Sequence, residues 1–210
     1  MAEPTKVGDV IDAWLEIAQN AVREGAEHDV SADYDVILGI DVALCTTTAH
    51  TGTEVIVQYS EEAAGDGFWT TCARFIGPTG TAVTLALDAT EPVGETTLAV
   101  TNPATANMDN DGKFKFIEAA TDANSEIVFQ TANGGDGGDT ITIAYGLANE
   151  QSNTSALFDI DSATAEAVKS YPAAIPASAS RVRVLYNNKY DADGSAVFTR
   201  CRIANVTALS

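Results

Sequence analysis

The stretch Tyr34-Asp35-Val36-Ile37-Leu38-Gly39-Ile40-Asp41-Val42-Ala43-Leu44-Cys45 decides the fold. Val36, Leu38, Ile40, Val42 and Leu44 share one parity, and side chains of one parity line one face of an extended chain. A helix would scatter the same five residues around its circumference. The stretch therefore predicts a strand with one buried face.

The period of two runs on through the chain. Thr53–Ser60 alternates through Val55, Val57 and Tyr59, and Phe68–Ile76 follows a turn at Glu61–Gly67, which together predict a hairpin. Gly77-Pro78-Thr79-Gly80 breaks the pattern. Val83, Leu85 and Leu87 then share a face, and Thr96–Thr101 carries Leu98 and Val100. Further strands are expected near Lys113–Glu118, Glu126–Gln130 and Asp139–Tyr145. The stretch from Ala148 to Ala179 is less regular, with a short helix over Ser162–Tyr171 ended by Pro172. Arg181–Tyr186 and Ala196–Val206 alternate again and read as a final hairpin. Short strands with turns roughly every 8–12 residues mark a β-sandwich or jelly-roll-like body.

One segment departs from this period. Val10, Trp14, Ile17, Ala18 and Ala21 recur at helical spacing, with Asp12, Glu16, Gln19, Arg23 and Glu24 on the other side. Val7–Glu24 is thus expected to be an amphipathic helix, capped by Asp9 and Gly25. The organisation that follows is an N-terminal helical arm over 1–30 and a mainly β body over 31–210, an antiparallel β-sandwich or jelly-roll-like fold. Asn102–Gly112 is the best internal boundary, so the body has room for an inserted or second β subdomain around 102–180.

Composition narrows the function. Thirty acidic residues against 11 basic ones give a net charge of −19. Nucleic acid and anionic membrane both recruit proteins through Lys and Arg, so neither is an expected partner. No apolar run approaches the roughly 18 residues of a membrane-spanning helix. The N-terminus shows no apolar signal region, which leads to the expectation of a protein made in a cytoplasm. Cys45, Cys72 and Cys201 lie far apart in apolar contexts, and the expectation is buried free thiols rather than a disulfide framework or zinc site.

No catalytic constellation can be assembled. The two histidines, His28 and His50, lack a nucleophile or ligand partner in the pattern, and no Gly-x-Ser-x-Gly or phosphate-binding loop occurs. The expectation is a protein that is not an enzyme and holds no cofactor. Calcium is the one alternative. Gly134–Thr142 fits a single calcium-binding nonapeptide with Asp136 and Asp139, although that fold needs stacked copies. Asp109-Asn110-Asp111-Gly112 and Asp191-Ala192-Asp193-Gly194 open like EF-hand loops, but the twelfth positions hold Ala120 and Arg202 instead of Glu.

The arginines carry more information. Arg181, Arg183, Arg200 and Arg202 oppose the apolar parity of their two strands, so a hairpin would gather all four on one face. Such a face either pairs with acids on its own neighbouring strand or docks on the acidic face of another copy or a larger partner, because guanidinium groups grip carboxylates bidentately. The candidate contact residues are Arg181, Arg183, Arg200 and Arg202, with Val10, Trp14, Ile17 and Ala21 on the apolar stripe of the arm.

The composition, the arm ahead of a β body, and the segments Gly80-Thr81-Ala82-Val83-Thr84 and Ala89-Thr90-Glu91-Pro92-Val93-Gly94-Glu95-Thr96-Thr97 resemble the small accessory virion proteins of tailed bacteriophages, the capsid decoration (cement) type. The resemblance implies a virion location and a homo-oligomer, often a trimer. It also implies binding to the major capsid protein, whose shell the oligomer strengthens. Neck, tail or adaptor ring subunits share the same style. A calcium-dependent carbohydrate-binding or adhesive β-module is the alternative from another class.

Overall fold

The computed structural model describes residues 5–47, 49–65, 67–100, 112–133, 139–160, 165–189 and 197–207. They form β1 (Thr5–Ile17), β2 (Ala21–Glu24), β3 (His28–Asp29), β4 (Asp33–Leu44), β5 (Glu54–Ser60), β6 (Thr70–Ile76), β7 (Ala82–Ala86), β8 (Thr97–Ala99), β9 (Lys113–Glu118), β10 (Glu126–Asn133), β11 (Thr140–Ile143), β12 (Ala156–Ile160), β13 (Val168–Ala174), β14 (Arg181–Asn188) and β15 (Val197–Thr207). One 3₁₀ turn, Asp122–Asn124, is the only helical element among the described residues.

The strands build three antiparallel sheets. The first has the order β1-β15-β4-β13. The second has the order β2-β14-β5-β6, with β3 beside β14. The third has the order β7-β12-β9-β10-β11-β8. The first two sheets draw on the chain before residue 77 and after residue 167, whereas residues 82–160 supply every strand of the third.

The first and second sheets make a sandwich. Val36, Leu38, Ile40, Val42 and Leu44 of β4 share a core with Val55 and Val57 of β5 and with Val182, Val184 and Tyr186 of β14. The parity read from β4 is therefore the core face, buried to 6% exposure or less at all five positions. Asn188 lies at the end of this core. Its Oδ1 accepts from His50 Nε2 at 3.0 Å and from Thr53 Oγ1 at 3.1 Å, while His50 Nδ1 accepts the Gly52 N–H at 2.8 Å. His50 is a buried structural staple. Cys201 is buried and Cys45 and Cys72 are partly so, and burial pushes all three thiols up.

The third sheet curls on itself. Its edge strands come back together at an isolated bridge between Leu87 and Val100, around a second core of Leu98, Ile117, Val128, Ile141, Ile143 and Leu157. Lys115 and Asp159 share the inward parity and form a fully buried ion pair. The outward parity of β9 packs on the first sheet, where Phe116 meets Trp14 edge-on at 4.8 Å and Phe198 at 5.3 Å between ring centroids.

Three sequence expectations are corrected. Val7–Glu24 is not a helix: β1 and β2 occupy it, and β1 pairs with β15 from Thr5↔Thr207 to Ile17↔Val197. Register shifts fall between Val10 and Asp12 and between Asp12 and Leu15. Each shift resets the parity, so apolar residues spaced by four and three sit on a bulged strand. No helix ends at Pro172 either: it lies inside β13, opposite Gly39. An edge strand tolerates the missing N–H on its unpaired side. Finally, Arg181–Asn188 and Val197–Thr207 are not a hairpin. β14 belongs to the second sheet and β15 to the first.

Candidate functional site

Separating β14 from β15 splits the four arginines into two pairs. Arg200 and Arg202 lie on the outer face of the first sheet. Arg200 donates to Asp41 Oδ2 through Nε at 3.0 Å and Nη2 at 2.8 Å, and Arg202 Nη2 stands 3.2 Å from the same oxygen. Asp41 is fully buried and also accepts from Ser170 Oγ at 2.6 Å. Arg200 stacks over Trp14 at 4.7 Å.

Arg181 and Arg183 lie on the outer face of the second sheet, with Trp69 beneath both guanidinium groups at 5.1 and 4.1 Å. Arg181 pairs with Glu27 at 2.6 Å, and Arg183 pairs with Glu24. Arg181 also donates to the Glu62 and Gly65 carbonyls at 2.9 and 3.0 Å, which pins the loop between β5 and β6. All four arginines thus have a carboxylate of their own chain.

The register of the first sheet shows what else shares its outer face. Gly8 lies opposite Ala204, and Val10 opposite Arg202. Across β15 the same rows continue to Ile37 and Gly39, and across β4 to Ala174 and Pro172. The third sheet covers the rows of Phe198, Ala43 and Trp14 but leaves these rows open. Val10 remains 50% exposed and Ile37 47%. The two glycines leave a depression of about 560 Å³ between them, lined by Val10, Ile37, Tyr171, Pro172 and Ala204 and edged by Arg202. A more polar recess of about 660 Å³ adjoins it, reaching Phe114 and Ile127 of the third sheet past Arg200 and Asp41.

Of the expected contact residues, Val10, Trp14, Arg200 and Arg202 come together on this face. Trp14 is buried beneath the third sheet at 3% exposure. Ile17 is buried at 3% in the sandwich core, and Ala21 packs against that core. Ile37, Gly39 and Pro172 were missed. For Ile37 and Gly39 a signal was present in Tyr34–Cys45: the parity opposite the core face carries Ile37, Gly39 and Ala43 beside Asp35 and Asp41, more apolar than a fully solvated face.

Of the calcium candidates, Asp109, Asp111, Asp136, Asp191 and Asp193 lie outside the described residues, and Asp139 is exposed just before β11. No group of three or more metal-ligating side chains occurs among the described residues. No described helix is long and apolar enough to cross a membrane.

No family model and no curated protein matches the sequence. Among solved structures, the fold is similar to VP17, a capsid protein of bacteriophage P23-77, at 10% identity and a TM-score of 0.21, covering 96% of this chain and all of that one. It is also similar to VP2 of the infectious bursal disease virus subviral particle, at 10% identity and a TM-score of 0.23, covering 98% of this chain and 42% of that one. Likenesses at this level define no family for the chain, and the functional reading rests on its own residues.

Proposed function

We propose that this chain is a structural subunit of a virion, a decoration (cement) protein that binds the major capsid shell and strengthens it. The observation that carries the reading is the open outer face of the first sheet. An apolar, glycine-floored sheet face with Val10 and Ile37 half exposed is a surface that a monomeric protein normally covers. The sequence resemblance to phage accessory proteins and a charge of −19, which keeps the remaining surface away from nucleic acid, point the same way. The arginines of this face, Arg200 and Arg202, both pair with Asp41.

Immunogold labelling of particles from cells carrying the encoding virus tests the reading. Label spread over the head supports a decoration protein. Label confined to the neck or tail replaces it with a ring subunit, and unlabelled particles overturn the virion assignment.

A further inference from the structure

β9 and β12 are neighbours in the third sheet, and their register pairs Leu157 with Ile117 and Phe158 with Phe116. One step further, the same register sets Asp159 opposite Lys115. Side chains directly opposite one another stand about 5 Å apart at Cβ. Lys115 Nζ donates to Asp159 Oδ2, and neither side chain has any exposed surface. Val128 lies beside Lys115 on β10, and Val83 lies beside Asp159 on β7. The pair therefore sits inside a row across four strands, with a valine on each side. Asp159 Oδ1 is held separately, by the Ile160 N–H at 2.7 Å.

In neutral water an amine and a carboxylic acid exchange a proton and stay ionised, which blocks their condensation. Away from water, charge separation is costly, and a proton passing from Nζ to Oδ2 leaves a neutral amine against a neutral acid. Holding the two groups in contact turns a chance encounter into an intramolecular step. The Ile160 N–H also meets the oxygen on which negative charge develops when Cγ is attacked.

We propose that Lys115 and Asp159 condense to an isopeptide bond once the third sheet has folded. The Nζ lone pair attacks Cγ, and the electron pair of the carbonyl moves onto Oδ1. The nitrogen passes a proton to the Oδ2 hydroxyl, the Cγ–Oδ2 bond breaks, and Oδ2 leaves as water while the carbonyl at Oδ1 re-forms. One C–N bond forms, one C–O bond breaks, and nothing is oxidised or reduced. The newly folded chain holds the ion pair, and the matured chain holds the amide. The amide ties β9 to β12 and closes the chain between them into a covalent loop, which constrains the unfolded state as other cross-links do. The step needs no partner and no cofactor, so it stands apart from the virion reading.

Mass spectrometry of the denatured full chain, after prolonged incubation of the folded protein, tests it. The wild type is expected to be one water lighter than its 21.9 kDa sequence. Its digest should contain a branched peptide joining the Lys115 and Asp159 segments. Lys115→Arg keeps a cation opposite Asp159 but offers no amine, and its digest should lack the branch. Succinimides at Asp111-Gly112 or Asp193-Gly194 would lose the same water, but they join no second segment, so the branched peptide separates the two. A wild-type digest in which the two segments run only as separate linear peptides overturns the proposal. So does a branch that leaves from Lys113, the next buried lysine along the strand. If Lys115→Arg fails to fold, the wild-type digest decides alone.

Discussion

Arg200 closes on Asp41 from the side, with Nε and Nη2 both within 3.0 Å of Oδ2. Asp41 lies in the middle of the first sheet, and Arg202 and Ser170 converge on the same carboxylate. Removing Asp41 therefore strands Arg200 between Trp14 and the sheet. Asp41→Ala is expected to lower stability by roughly 3 kcal/mol, the range for losing one partner of a buried pair. Arg202→Ser should cost much less, because that side chain is half exposed and only the second donor. Urea unfolding of the two variants checks the order.

Lys115 and Asp159 are fully buried inside the third sheet. Lys115→Met leaves a lone carboxylate there and should destabilise by about 3–5 kcal/mol. Pairing it with Asp159→Leu should restore most of the loss, since two apolar side chains need no mutual charge. Thermal melts of the single and double variants decide it. Additive losses would mean that the ion pair is not what orders this core.

The pinned loop depends on Arg181 more than on Arg183. Arg181 holds two loop carbonyls besides Glu27, whereas Arg183 holds side chains of the sheet, Gln58 and Glu24. Arg181→Ser should release the 61–67 segment to faster amide hydrogen exchange and proteolysis, while Arg183→Ser leaves its exchange near the wild-type rate. Equal effects would refute this division of roles.

Glu118 gives a pH dependence. Partial burial, then the neighbouring Glu16 and Asp122, raise its pKa above the ordinary 4.5. The folded state thus binds this proton more tightly than the unfolded state. The contribution favours folding below 4.5 and is lost as pH rises through the folded value. Glu118→Gln should therefore raise the melting temperature at neutral pH, with the gain shrinking as pH falls toward 4.5. A variant that melts lower at neutral pH would contradict the assignment.

How much of this was legible depended on whether one period held without interruption. β4 kept strict parity over Val36–Leu44, so its core face could be read directly. β1 did not. Its bulges at Asp12 placed Val10, Trp14 and Ile17 at spacings of four and three, which a bulged strand and a helix share. The arginine strands were legible as strands but not as members of different sheets, because alternation fixes a face and says nothing about the neighbouring strand. The missed β12 carries Leu157 toward one core and Phe158 toward another, so both parities are apolar and no alternation remains. The docking face was half visible: Val10 and Arg202 were named, but their pairing across β1 and β15 needed the register.

The central claim is that the open face of the first sheet attaches this chain to a virus particle. Co-sedimentation with particles stripped of the chain, comparing wild type with Ile37→Asp, tests it most directly. Wild type should pellet with the particles at saturating stoichiometry, and Ile37→Asp, with its charge in the middle of the depression, should stay in the supernatant. Wild type that remains in the supernatant, or an Ile37→Asp variant that pellets equally well, would contradict the claim.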